Sequence, residues 1–162
     1  MLIEAFKKQK KHLTALILSD GREVLLDNET CSDFCLKQGA EITEERLREL
    51  IYDSEYRRAK SRALWYLDRA DRTEKGLYKK LCEAGFDKKA SAAVVARFAE
   101  VGLLDDRRFA ENFAERCKDA NISPRETVRK LYEKGISYDM AKEIVSETET
   151  DEEAQIRALI EK

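Results

Sequence analysis

A single histidine, His12, stands among 162 residues. No nucleophile motif accompanies it, so neither a Ser-His-Asp nor a Cys-His set can be built around it. Glycine is sparse, at six residues, and none belongs to a phosphate-cradling loop or a Gly-Lys-Ser/Thr run. The longest apolar run, Ala15 to Leu18, is far too short to cross a bilayer. The opening Met1-Leu2-Ile3-Glu4-Ala5-Phe6-Lys7-Lys8 has no apolar core of signal-peptide length, from which a cytoplasmic, reducing setting is expected. The four cysteines form no CxxC pair. Cys31 and Cys35 would share one helix face and Cys82 and Cys117 fall on apolar stripes, so all four are expected as small core residues. Asp105-Asp106 is a carboxylate pair, but it precedes a helix, where capping and the helix dipole account for it without a metal. These absences point away from an enzyme: no catalytic residue, metal or cofactor is expected.

Proline is rarer still, with Pro124 alone, while 40% of the chain is charged and 43% hydrophobic. Apolar residues recurring every three or four positions in such a mixture predict a mainly helical fold. The net charge of −2 imposes no global field. Its distribution is uneven. Between Arg57 and Lys80 nine cations (Arg57, Arg58, Lys60, Arg62, Arg69, Arg72, Lys75, Lys79 and Lys80) face three anions. From Glu143 onward seven acids face only Arg157 and Lys162. The nine cations are the candidate contact surface for a partner or for DNA, set against the alternative of an ordinary solvated helix surface.

The strongest pattern is an internal repeat. Lys80-Leu81-Cys82-Glu83-Ala84-Gly85-Phe86 returns as Lys130-Leu131-Tyr132-Glu133-Lys134-Gly135-Ile136, fifty residues later. The offset extends outward. Leu77, Tyr78, Leu81 and Cys82 align with Thr127, Val128, Leu131 and Tyr132, and Val94-Val95 aligns with Ile144-Val145.

In chain order, residues 1–11 read as a basic lead-in. His12 to Asp27 reads as a β-hairpin, with Leu13, Ala15, Ile17, Val24 and Leu26 alternating around Asp20-Gly21. A hairpin alone is marginal and must pack on helices. Asn28 to Gln38 predicts a short helix stopped by Gly39, and Thr43 caps another through Leu50 and Ile51, with a break allowed near Asp53-Ser54. Repeat one, residues 57–102, carries three helices. Their apolar stripes include Ala59, Ala63, Leu64 and Leu67, then Leu77 and Leu81, then Ala90, Val94, Phe98 and Val101. Repeat two, residues 103–150, has Phe109, Ala110, Phe113, Ala114 and Cys117 on its first helix. Ser123-Pro124-Arg125-Glu126 opens its second, and Ser137 caps its third. Residues 151–162, with Ala154, Ala158 and Leu159 apolar, read as the start of an incomplete third repeat, as in a chain cut short. Residues 1–56 form the N-terminal part. Trp65 reads as core or interface rather than as a platform for stacking a base. The fold expected is tandem three-helix repeats in an elongated array, preceded by a β-hairpin and helix.

These residues resemble the RecX family, regulators of the bacterial RecA recombinase. Arg69 and Arg72-Thr73 match its R-x-x-R-S segment. Leu103-Leu104-Asp105-Asp106-Arg107-Arg108-Phe109-Ala110 matches its junction between repeats. Ile122 through Ile136, ending Leu131-x-x-Lys134-Gly135-Ile136, matches the second-repeat helix and turn. The hairpin followed by Leu36-Lys37-x-Gly39 fits the longer members. The chain departs from the family at Gly76, where an acid is usual, and in the near absence of a third repeat. The resemblance implies a non-enzymatic modulator that binds the RecA–single-stranded-DNA filament and limits its extension; the chain itself is expected to be a monomer. ATP hydrolysis, strand exchange and co-protease activity in recombination and the SOS response would fall with it. The alternative reading is a stand-alone helix-turn-helix-like DNA-binding module.

Overall fold

The computed structural model describes residues 1–160, the side chains of Asp151, Glu152, Ala154 and Gln155 excepted. Ala154, expected on an apolar stripe, lies outside the described side chains, as do Asp151 and Glu152 of the acidic stretch; Glu161 and Lys162 lie outside the described residues altogether. The chain is mainly helical, with one small sheet. Strands β1 (Ile3–Lys8), β2 (Leu13–Leu18) and β3 (Glu23–Asp27) precede helices α1 (Asn28–Asp33), α2 (Glu44–Arg69), α3 (Glu74–Glu83), α4 (Lys88–Glu100), α5 (Asp106–Asp119), α6 (Pro124–Glu133) and α7 (Tyr138–Ile160). Two compact units divide these elements: Met1–Trp65 with Leu81–Val94, and Tyr66–Lys80 with Val95–Lys162.

In the first unit the expected hairpin is the β2–β3 half of a three-stranded antiparallel sheet. The lead-in is a strand, with Phe6 opposite Leu16, while Thr14 lies opposite Leu26 on the other side. The third strand supplies the pairing that a lone hairpin lacks, and Lys7 and Lys8 blunt its open edge. The core face of β2 also differs from expectation. Leu16 and Leu18 join Ile3, Leu26, Ile42, Leu47 and Leu50 in one buried cluster, whereas Leu13 and Ile17 are half-buried. Ala15, on the expected face, is fully buried as well, so β2 is covered on both faces and alternation alone could not fix its phase.

Helix α1 stops at Asp33, short of Gln38, and Cys35 adopts a left-handed φ of 52°. Helix α2 does not break at Asp53-Ser54. Both polar side chains are used sideways: Ser54 Oγ accepts from Asp27 N at 2.8 Å, and Asp53 accepts from Thr30 Oγ1 at 2.8 Å. The first helix expected of repeat one is therefore the second half of a 26-residue helix. Several expected core positions are surface positions. Leu64 and Val101 are exposed, and of the four cysteines Cys117 is buried, Cys31 and Cys82 are half-buried and Cys35 is exposed. Val101 follows the last turn of α4, where the chain turns away at Gly102 with a φ of 82°.

The repeat is visible as a repeated set of hydrogen bonds, each fifty residues from its counterpart. Thr73 Oγ1 accepts from Gly76 N at 3.0 Å and Ser123 Oγ from Glu126 N at 3.2 Å. Both helices end alike: Phe86 N donates to Leu81 O and Ile136 N to Leu131 O, wrapped around Gly85 and Gly135. Asp87 Oδ2 then accepts from Ala90 N, and Ser137 Oγ from Met140 N. In the second unit Ala110, Ala114, Leu131, Ile136, Ala141, Ile144 and Val145 form the core, with Phe109 and Phe113 against it. Helix α7 runs unbroken through residues 150 and 151 to Ile160.

Gly85 and Gly135 occupy equivalent turns at φ of 96° and 102°, but only Gly135 is crowded: an added Cβ would lie 2.7 Å from Lys75 Cβ. Gly85→Ala should therefore cost about 1–2 kcal/mol, the left-handed penalty alone. Gly135→Ala should cost roughly 2–4 kcal/mol, since overpacking adds to the same penalty. Urea unfolding of the two variants checks the difference.

Candidate functional site

The cationic stretch of α2 borders an open pocket of about 1140 Å³, wholly within the first unit. Lys10, Lys11 and His12 reach it from the turn between β1 and β2. Arg57, Arg58, Lys60, Arg62 and Trp65 line it from α2, and Phe86 from the turn after α3.

The cations differ in how free they are. Arg57 is committed: its guanidinium meets Asp53 at 2.8 Å, Glu29 at 3.0 Å and Asp33. These carboxylates hold it above its ordinary pKa despite partial burial, with Asp53 the largest influence. Because Glu29 and Asp33 are on α1 and Asp53 on α2, Arg57 fastens the two helices. Arg58 lies 3.9 Å from Glu55 and 6.0 Å from the centre of the Phe86 ring. Glu55 is itself engaged, accepting from Asp87 N at 3.0 Å. Arg62 lies 5.6 Å over the Trp65 ring. Lys10, Lys11, Lys60 and Arg62 have no carboxylate within ion-pair distance among the described residues.

Trp65 is 48% exposed and so is not a core residue. Its neighbour Leu64, 45% exposed, shares the pocket wall. The buried stripe of this part of α2 is Ala59 and Ala63, which places Leu64 and Trp65 beyond it. An exposed indole among unpaired cations offers stacking area and attraction for phosphates, the two ingredients of single-strand binding. Lys10 and Lys11 were not among the sequence candidates. The signal available was a basic cluster between two apolar runs, which is a turn; its position beside α2 is a property of the fold.

The other five candidates, Arg69, Arg72, Lys75, Lys79 and Lys80, belong to the second unit. Arg69 is exposed at the end of α2. The Arg72 guanidinium and the Lys80 ammonium lie 5.4 Å and 5.9 Å from the Tyr66 ring centre. Lys75 packs its stem against Gly135, and Lys79 is exposed. Thr73 donates its hydroxyl to Lys134 O, tying the start of α3 to the turn after α6. The acid pair is divided in use: Asp105 caps α5 by accepting from Arg108 N, while Asp106 accepts from Glu74 N at 2.9 Å. Burial, then the charge of Asp106, pushes the Glu74 carboxyl above its ordinary range.

A family model described as RecX, first three-helix domain, matches residues 59–98. The regulatory protein RecX of Clostridioides difficile strain 630 is 30% identical over 155 residues, which is 94% of this chain and 73% of that one. The chain belongs to the RecX family of regulatory proteins. The RecX of Clostridium tetani strain Massachusetts / E88 is 27% identical over 150 residues; the alignment takes in 93% of this chain but 64% of the relative. A crystal structure of a regulatory protein RecX has the same fold, with a TM-score of 0.64 at 21% identity, over 91% of this chain and 73% of that one. No described helix is long and apolar enough to cross a membrane.

Two outcomes are expected. Arg57→Ala should lower stability by about 1–2 kcal/mol, because a network of three partners is lost, while Lys60→Ala should stay within about 0.5 kcal/mol; thermal unfolding distinguishes them. A raised Glu74 pKa means that the folded state holds this proton more tightly than the unfolded chain does. The associated stability is fully present below 4.5 and is lost as pH rises through the folded value. Glu74→Gln should remove that loss, so wild type falls relative to the variant as pH rises, as urea midpoints across pH would report.

Proposed function

We propose that this chain is a non-enzymatic regulator of RecA. It binds the RecA–single-stranded-DNA filament as a monomer in the cytoplasm and limits the filament's extension, ATP hydrolysis, strand exchange and co-protease activity. Family membership supports the partner, and one observation supports the surface. Lys10, Lys11, Lys60 and Arg62 line one pocket together with the exposed Trp65, unneutralised by carboxylates among the described residues. Such a surface attracts a phosphate backbone at long range and gives a base or an apolar side chain of the filament a place to stack.

Arg57 takes a supporting role in this reading. It orders α1 against α2, and its charge is already answered. Residues 57–102 and 103–150 are read as the two three-helix repeats. Arg69, Arg72, Lys75, Lys79 and Lys80 are read as a second cationic contact, carried by the other unit.

With the cognate RecA and single-stranded DNA, substoichiometric amounts of the protein should suppress DNA-dependent ATP hydrolysis. The combined Lys10→Glu, Lys11→Glu, Lys60→Glu variant should need about tenfold more protein for half-inhibition, with unchanged thermal unfolding. Absence of suppression by wild type would overturn the regulator reading. Sequence-selective duplex binding without RecA would replace it with the helix-turn-helix alternative.

A further inference from the structure

A second concave surface lies in the other unit, away from every cation considered above in sequence. It is a groove of about 710 Å³ formed by α6 and the start of α7. Helix α6 is strongly two-sided. Thr127 and Leu131 are buried, whereas Val128 and Tyr132 line the groove and Tyr132 is 63% exposed. Tyr138, 51% exposed, faces the same groove from the first residue of α7. Two exposed tyrosines beside a valine in one concavity are costly to leave in water, and tyrosine is the residue type enriched where proteins meet.

The charges around the groove select the partner. Arg129 is answered on its own helix: Glu126 chelates it, and Glu133 accepts from it at 2.5 Å. Glu126 is held below the ordinary carboxylate range by that guanidinium. Arg125 and Lys142 have no carboxylate partner among the described residues. The Lys142 ammonium rests 4.4 Å over the Tyr138 ring. Two unanswered cations thus flank an aromatic floor, with two carboxylates on the same helix. A nucleic-acid strand brings one negative charge per nucleotide in a continuous row, whereas the groove offers two cations without a carboxylate partner, Arg125 and Lys142. A peptide needs only one or two acids, and its apolar side chains can fill the floor.

We infer that the groove of Val128, Tyr132 and Tyr138 is a docking site for an acidic peptide segment of a partner protein, anchored by an aromatic or aliphatic side chain and held at its rim by Arg125 and Lys142. The inference does not rest on the RecA reading, and it concerns residues outside the candidate pocket. A cavity of this size holds two or three side chains.

The test uses the full chain and a fluorescein-labelled peptide of repeated Asp-Glu-Phe-Leu units, followed by fluorescence anisotropy. Binding in the micromolar range is expected, and it should weaken as salt rises. A control peptide with Ser in place of Phe and Leu should fail to bind. Tyr132→Ser and the combined Arg125→Glu, Lys142→Glu variant should each weaken binding by about tenfold or more. Both change exposed side chains, and unchanged circular dichroism and thermal unfolding will establish that the fold is intact. No binding by wild type, or equal binding by a folded Tyr132→Ser variant, overturns the proposal. Displacement of the peptide by oligothymidylate from wild type overturns it in favour of a nucleic-acid groove.

Discussion

The left-handed turn after the second helix of each repeat is the constraint from which the helical part is built. At Gly85 and at Gly135 the chain must reverse within one residue, at a φ that side-chain-bearing residues adopt only at a cost. The reversal brings the next amide back onto the helix it has just left, at Leu81 and at Leu131. Two residues past each glycine stands the cap of the following helix, Asp87 or Ser137. Helix end, turn and helix start are therefore one hydrogen-bonded object, present twice. In the second copy the object also carries tertiary structure, since the Lys134 carbonyl receives the Thr73 hydroxyl and Gly135 abuts Lys75.

This explains why the repeat was so legible. Caps, glycines and the Leu81 and Leu131 positions are local chemistry at fixed spacing, and the chain displays them at an offset of fifty. The predicted starts at Asp105, Ser123 and Ser137 stand where helices begin, and Thr73 and Asp87 cap their helices in the same way. Where the sequence left a choice open or misled, the answer lay with partners distant in sequence. At Asp53-Ser54, where the helix could break or continue, Arg57, Thr30 and the Asp27 amide engage the two polar side chains and it continues. Residues 1–11 look like no more than a basic lead-in until Ile3–Lys8 is seen to pair with β2. Trp65 is large and apolar, so it is expected in the core or at an interface, and composition does not choose between them. Helix phase, set by Ala59 and Ala63, places it outside.

The candidate site shows the same division. Arg57, Arg58, Lys60 and Arg62 were legible as a charge-rich window because they are contiguous on one helix. Lys10 and Lys11 join them from a turn some fifty residues earlier, which no local pattern signals. What a count of charges could not show is how each is employed. Arg57 is answered by three carboxylates, Arg58 rests near Glu55, and the remaining cations of the pocket face solvent.

That distribution limits how steeply binding at this pocket can respond to ions. Each phosphate neutralised on a single strand displaces condensed counterions and adds about −0.7 to the slope of log affinity against log salt. An arginine already neutralised inside the fold displaces none. With Lys10, Lys11, Lys60 and Arg62 as donors of free charge, the pocket's own share of that slope has a ceiling of about −3. A steeper dependence for the whole protein would have to draw on cations outside this pocket.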